Sequence, residues 1–141
     1  MSCEIPTVNA NPAEMQAIFD SVKTIAIPGL SPKEDKPSHR VAKYLQEQGF
    51  KIIPIYPKED FILGEKVYRS LEEVEERIDM VDMFRKPEVA DTIVDVLEKR
   101  DDVKVLWLQE GIVNNIAAAR AEKLGLKVVQ NKCTMVEHKR L

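Results

Sequence analysis

Apolar residues follow two alternating rhythms along this chain: short runs in which most positions are apolar, and longer stretches that repeat with helical spacing. The runs Thr24 to Pro28, Lys51 to Tyr56, "IDMVDMF" over 78–84, "VKVLWL" over 103–108 and "LKVV" over 126–129 read as strands, with a brief extra strand near Val67 and Tyr68. Pro54 has no N–H to give a ladder, so short or irregular pairing is expected in the second strand. Helices fill the intervals. Asn11 as N-cap, Pro12 at the first helical position and Glu14 three residues after the cap form a capping-box pattern that opens a helix running to about Asp20. A second helix spans about Ser38 to Gln48, with Val41, Tyr44, Leu45 and Gln48 on one side and Gly49 where a left-handed cap is wanted. Ser70 and Glu73 repeat the capping-box pattern at a short helix, and Val89, Ile93, Val96 and Leu97 give the next one its buried stripe. The last helix covers about Asn114 to Leu124 and stops at Gly125, leaving "HKRL", with His138, as a solvated tail.

Strict alternation of strand and helix predicts an α/β domain with a mainly parallel sheet and helices on both faces. Right-handed crossovers make this a doubly wound, Rossmann-like architecture. With 141 residues, 44% of them hydrophobic, residues 1–141 are expected to form a single domain, with 1–22 as an N-terminal segment and helix packed on it. No apolar run approaches the roughly 20 residues of a membrane span, and the start lacks the order of a signal peptide, so a cytoplasmic protein is expected. Cys3 and Cys133 belong to no CxxC pair, which points to reduced thiols rather than a disulfide framework or zinc site. The formal charge of -3 argues against general affinity for nucleic acid or an acidic membrane surface.

In a doubly wound sheet, ligands lie outside the carboxyl ends of the strands, where strand order reverses, usually between the first and fourth strands. That rule selects loops without any motif. After the first strand come Gly29, Leu30, Ser31, Lys33, Lys36, Ser38, His39 and Arg40; after the second, Tyr56, Pro57 and Lys58. The fourth is followed by Phe84, Arg85 and Lys86, and the fifth by Gln109, Glu110 and Gly111. An acidic chain thus places many cations on one rim, beside a glycine and a helix start, and the inferred ligand is an anionic nucleotide with several phosphates. Two omissions narrow the choice. A dinucleotide turn reads G-x-G-x-x-G and is followed by an acid for the ribose; here one glycine stands alone, and Lys58 occupies the region of that acid, favouring a phosphate on the ribose. The absence of G-x-x-x-x-G-K-[ST] argues against hydrolysis of a nucleoside triphosphate.

Five blocks in order, "GLSPKEDKPSHRVAKYLQEQGFKIIPIYPK", "ILGEKVY", "IDMVDMFRKPE", "VLWLQEGIVN" and "CTMVEHKRL", closely resemble the small bacterial and archaeal CoA-binding proteins related to the N-terminal domain of the succinyl-CoA synthetase alpha subunit. The resemblance covers roughly residues 14 to 141 and is far more specific than a lone glycine turn. It implies a CoA-binding Rossmann domain in which Gly29, Leu30, Ser31, Ser38, His39 and Arg40 hold the nucleotide phosphates. Tyr56, Pro57 and Lys58 would border the adenosine and its 3'-phosphate, with Phe84, Arg85 and Lys86 opposite, and Gln109 and Glu110 toward the pantetheine arm. Two departures stand out: Pro28 replaces the usual aliphatic residue before the glycine and removes a donor, and Asn131 and Lys132 replace a common Asp-Arg pair.

Plainer readings accompany the sharp ones. Gly29 is also what a bare strand-to-helix turn requires, and Glu34, Asp35, Glu59 and Asp60 lie near enough to blunt the field of Lys33, Lys36 and Lys58. His39 has no carboxylate partner that would make it a general base. Cys133 reads as a small buried residue or as a thiol facing the crevice, Trp107 as core, and Phe84 as a cap on the sheet or a stacking surface for a base. The leading expectation is a module that binds CoA or an acyl-CoA at the carboxyl ends of the strands without catalysis, as a monomer or weak homo-oligomer with no assigned protein partner. Alternatives are a component of an acyl-CoA synthetase acting with a separate chain, an NAD(P)-dependent oxidoreductase, and a thiol-handling protein in which Cys133 forms a mixed disulfide with CoA.

Overall fold

The structure, a computed structural model, describes residues 5–141, so Cys3 lies outside the described residues. Its elements are α1 (Pro12–Ser21), β1 (Thr24–Pro28), α2 (Pro37–Glu47), β2 (Lys51–Ile55), β3 (Phe61–Ile62), β4 (Glu65–Lys66), a 3₁₀ turn (Leu71–Glu73), β5 (Met80–Met83), α3 (Val89–Leu97), β6 (Val105–Leu108), α4 (Asn115–Lys123), β7 (Lys127–Val129) and α5 (Thr134–Lys139). The main sheet runs β2-β1-β5-β6-β7, and all its pairs are parallel. At its β2 edge the expected third strand contracts to one parallel bridge between Ile55 and Tyr68. Counting Tyr68 as that strand, the chain takes the Rossmann order in which strand sequence reverses beside β1.

Alternating side chains fill two layers. Ile25, Ile27, Met80, Val105 and Trp107 pack with Met15, Phe19 and Leu45 of α1 and α2, whereas Ala26, Val81, Met83, Leu106 and Leu108 pack with Ile93, Val94 and Ala118 of α3 and α4. Strands buried on both faces explain the near-continuous apolar runs. Trp107 is fully buried and its indole N–H donates to the Lys132 carbonyl at 2.8 Å, which satisfies the polar atom of an otherwise apolar side chain. The opening capping box closes as the spacing predicts: Asn11 Oδ1 accepts from Glu14 N at 2.8 Å and Glu14 Oε1 from Asn11 N at 3.0 Å.

Several expectations need correction. Pro54 does not disturb the pairing, for β1 and β2 stay in register from Thr24↔Lys51 through Pro28↔Ile55. Its carbonyl accepts from Tyr68 N, so the missing donor sits on the edge side of β2, where a proline breaks no bond to β1. Ser70 and Glu73 open only the 3₁₀ turn, and no side chain caps it. The segment Phe61–Lys66, unassigned from the pattern, is a two-stranded antiparallel hairpin turning through Leu63 and Gly64, both at positive φ (53° and 77°). The C-terminus is only in part a solvated tail: Lys139, Arg140 and Leu141 are exposed, but His138 is not. It forms α5, which packs against α1 and α2 and places the half-buried His138 ring at 5.1, 5.5 and 5.8 Å from the rings of Phe19, Tyr44 and Phe50. Among the described residues no helix is long and apolar enough to cross a membrane.

Candidate functional site

From β1 the chain crosses to β2 on one side, and from β5 to β6 on the other, so the two crossovers diverge at the β1/β5 junction. A cleft of about 480 Å³ opens at the carboxyl ends there. Of the residues predicted for the site, Gly29, Ser31, Ser38, Tyr56, Phe84, Gln109 and Glu110 line it. Lys36, Pro37, Val41, Ile112 and Cys133 complete the lining. Val41 was legible as part of the α2 inner face, and Ile112 follows Gln109 by one tight turn, its N–H donating to the Gln109 carbonyl at 2.9 Å.

The β1–α2 loop is tied down internally. Gly29 has φ +87°, and a Cβ there would stand 2.6 Å from the Phe84 carbonyl oxygen, so the end of β5 demands glycine whether or not a ligand binds. Its N–H donates to the Ile55 carbonyl and is not available to a ligand. Pro28, at the end of β1, has no N–H, yet its carbonyl still accepts from Phe84 N at 2.9 Å and holds the loop to β5. Ser38 Oγ accepts from Ser31 N at 3.0 Å and Ser31 Oγ from Lys33 N at 3.1 Å. Neither hydroxyl proton has an acceptor among the described residues, so both are free to donate outward. No side chain caps α2, whose N-cap is Lys36, so the positive end of an eleven-residue helix borders the cleft that Lys36 lines.

The other predicted residues take different places. Leu30 is fully buried in the core, and His39, also buried, has Nδ1 2.9 Å from the Ser31 carbonyl, supporting the loop from beneath. Arg40 donates to the Asp35 carbonyl and braces the outer part of the same loop. Pro57 and Lys58 are exposed on the β2 loop, held by Arg69, whose Nη1 donates to the carbonyls of Tyr56, Lys58 and Glu59. Lys86 is exposed outside the lining, and Arg85 borders a separate hollow with Arg69, Ser70 and Thr92. The structure therefore gathers the serines and Lys36 in the cleft and spreads the remaining cations around its outer rim.

The inner end is polar without being cationic. Asp82, fully buried in β5, accepts from Gln109 Nε2 at 2.6 Å through Oδ1 and from Thr134 Oγ1 at 3.0 Å through Oδ2. Gln109 Nε2 also donates to Thr134 Oγ1 at 2.8 Å, closing a ring. Burial pushes the Asp82 carboxyl up to about 7, against the opposing pull of those two donors. Sequence reasoning passed over Asp82 and Thr134. The available signal was an acid within the apolar run "MVDM", since a charged residue in a strand buried on both faces needs dedicated partners. Beyond the ring, Asn131, at positive φ (58°), accepts from Gly111 N at 2.7 Å, so the residue replacing the family's acid ties the β6 and β7 loops together.

A family model described as CoA binding domain matches residues 23–139. The chain is 36% identical over 130 residues to the uncharacterized protein YneT of Bacillus subtilis (strain 168), covering 92% of this chain and 96% of that protein. A hypothetical protein from Pyrococcus horikoshii OT3 superposes with a TM-score of 0.89 at 35% identity, covering 100% of this chain and 99% of the other. A 58-residue stretch, 41% of this chain, is 43% identical to 8% of the ADP-forming acetate–CoA ligase of Methanocaldococcus jannaschii. With a Rossmann-like sheet, a cleft at its switch point and a family match spanning most of its length, the chain belongs to the CoA binding domain family.

Proposed function

We propose that this protein binds coenzyme A or an acyl-CoA in the β1/β5 cleft, without catalytic chemistry of its own. The observation that carries the reading is the uncapped start of α2, where Lys36 and the free hydroxyl protons of Ser31 and Ser38 meet in a chain of the CoA binding domain family. Helix dipole, ammonium and hydroxyl donors together suit phosphate oxygens. Glu110 lines the cleft away from that cluster and repels anions, so the diphosphate sits toward Ser31 and Ser38 and the uncharged arm toward Gln109 and Cys133. Lys58 on the β2 loop is the partner for the 3'-phosphate, and Tyr56 and Phe84 offer aromatic surface to the adenine.

Titration calorimetry with CoA, dephospho-CoA and NAD tests this. CoA is expected to bind tightest, dephospho-CoA roughly ten- to a hundredfold more weakly and NAD weakest, since one charge-assisted phosphate contact is worth about 1.5 to 3 kcal/mol. Equal affinity for all three overturns the assignment. The likeness to a segment of acetate–CoA ligase supports a second reading, a CoA-carrying component that acts with a separate chain. That reading predicts CoA-dependent acyl transfer only when a partner chain is added.

A further inference from the structure

We infer that Asp82, buried beneath the cleft, orients Gln109 so that its amide oxygen is the acceptor that reads an amide N–H of the ligand's pantetheine arm. Gln109 is only 4% exposed, and its Nε2 gives both protons inward, to Asp82 Oδ1 and Thr134 Oγ1. Thr134 Oγ1 accepts one of these and passes its own proton to Asp82 Oδ2, so the three side chains form a closed ring with one direction of donation. With Asp82 ionised, as it is well above pH 7, the opposite amide orientation would set an oxygen against a carboxylate oxygen and leave Nε2 without these acceptors. Gln109 Oε1 takes no bond from the described residues. Because no buried polar side-chain atom among them lacks a partner, this oxygen must open to the cleft that Gln109 lines. A lone acceptor at the base of a cleft selects a ligand donor, because desolvating it unpaired costs free energy.

The pantetheine arm carries amide N–H groups and no charge, and it is the part of CoA assigned to this end of the cleft. The inference therefore rests on the CoA reading, and it adds an arm-reading residue, Gln109, and a positioning residue that does not touch ligand, Asp82.

The test, run at about pH 8.5 where Asp82 is ionised, compares CoA with adenosine 3',5'-bisphosphate, which keeps the adenosine and its 3'- and 5'-phosphates but lacks the second phosphate of the diphosphate and the arm. Gln109→Met keeps length and removes the acceptor. It is expected to weaken CoA about tenfold and to leave the bisphosphate unchanged. Asp82→Leu releases Gln109 and should show the same selective loss, while Asp82→Asn, which still presents Oδ1 to Nε2, should retain most of the CoA affinity. Equal loss for both ligands would assign Gln109 and Asp82 to general packing, and unchanged CoA affinity in Gln109→Met would overturn the inference outright. If Asp82→Leu fails to fold, Gln109→Met and Asp82→Asn still decide. Should wild-type protein bind neither ligand, it is the CoA reading that fails, so the two failures are distinguishable.

Discussion

At the scale of single residues, Asp82 is held from every side. Its carboxyl is fully buried, receives two side-chain donors and is pushed up to about 7 by burial. The ordinary carboxyl value is 3.8, so between that value and about 7 the folded state holds a proton that the unfolded chain has released. Stability from this group is therefore fully present below pH 3.8 and is lost as pH rises through about 7. Each unit is worth about 1.4 kcal/mol, which makes the total on the order of a few kcal/mol. Asp82→Asn removes the titration and keeps the shape. Urea unfolding of both proteins from about pH 5 to pH 8.5 should show the variant gaining on wild type as pH rises, with the difference levelling off above the folded pKa. A pH-independent difference would mean that the carboxyl titrates with an ordinary value.

At the scale of elements, legibility followed the strength of the local pattern. The α1 capping box, much of the α3 stripe and the buried strands could be read, because spacing alone specifies them. The third strand could be placed, near Val67 and Tyr68, but not its reduction to a single bridge, and α5 could not be read at all. Tyr68 makes one bridge, too short for any period, and α5 is six residues long without an apolar stripe or side-chain cap. What holds α5 is tertiary: the His138 ring meets Phe19, Tyr44 and Phe50 nearly edge-on, and Tyr44 Oη lies 2.6 Å from His138 Nδ1. Those partners are roughly ninety to a hundred and twenty residues upstream, out of reach of local rules. The same contrast applies to the site. Its loops follow from strand ends, but the ring of Asp82, Gln109 and Thr134 joins three elements and leaves only an acid in an apolar run as its trace. His138→Ala should consequently destabilise the fold by about 1 to 3 kcal/mol, read from the urea midpoint, whereas a residue of a solvated tail would stay within about 0.5.

For the whole molecule the question is how a chain of net charge -3 would hold the proposed ligand, an anion carrying several phosphates. Distance decides. Screening at 0.1 M salt cuts interactions off at about 10 Å, so a bound phosphate senses the start of α2, Lys36 and the serines far more than acids on the opposite face. The Asp95 and Glu98 carboxylates are paired with Arg120 on the α3–α4 side, and Glu14 is paired with Lys127 near the α1 N-terminus, which further localises their fields. Binding should then be governed by a few short-range contacts, despite the unfavourable total charge. Raising salt from 0.1 to 1 M shortens the screening length to about 3 Å and is expected to weaken CoA several-fold. Lys36→Gln should lower affinity at 0.1 M by a similar factor and flatten the salt dependence, because the contact that salt attenuates has already been removed. Calorimetry of both proteins at the two salt concentrations measures this directly. A variant with the wild-type slope would locate the electrostatic contact elsewhere on the rim, with Lys58 and Arg85 the next cations to substitute.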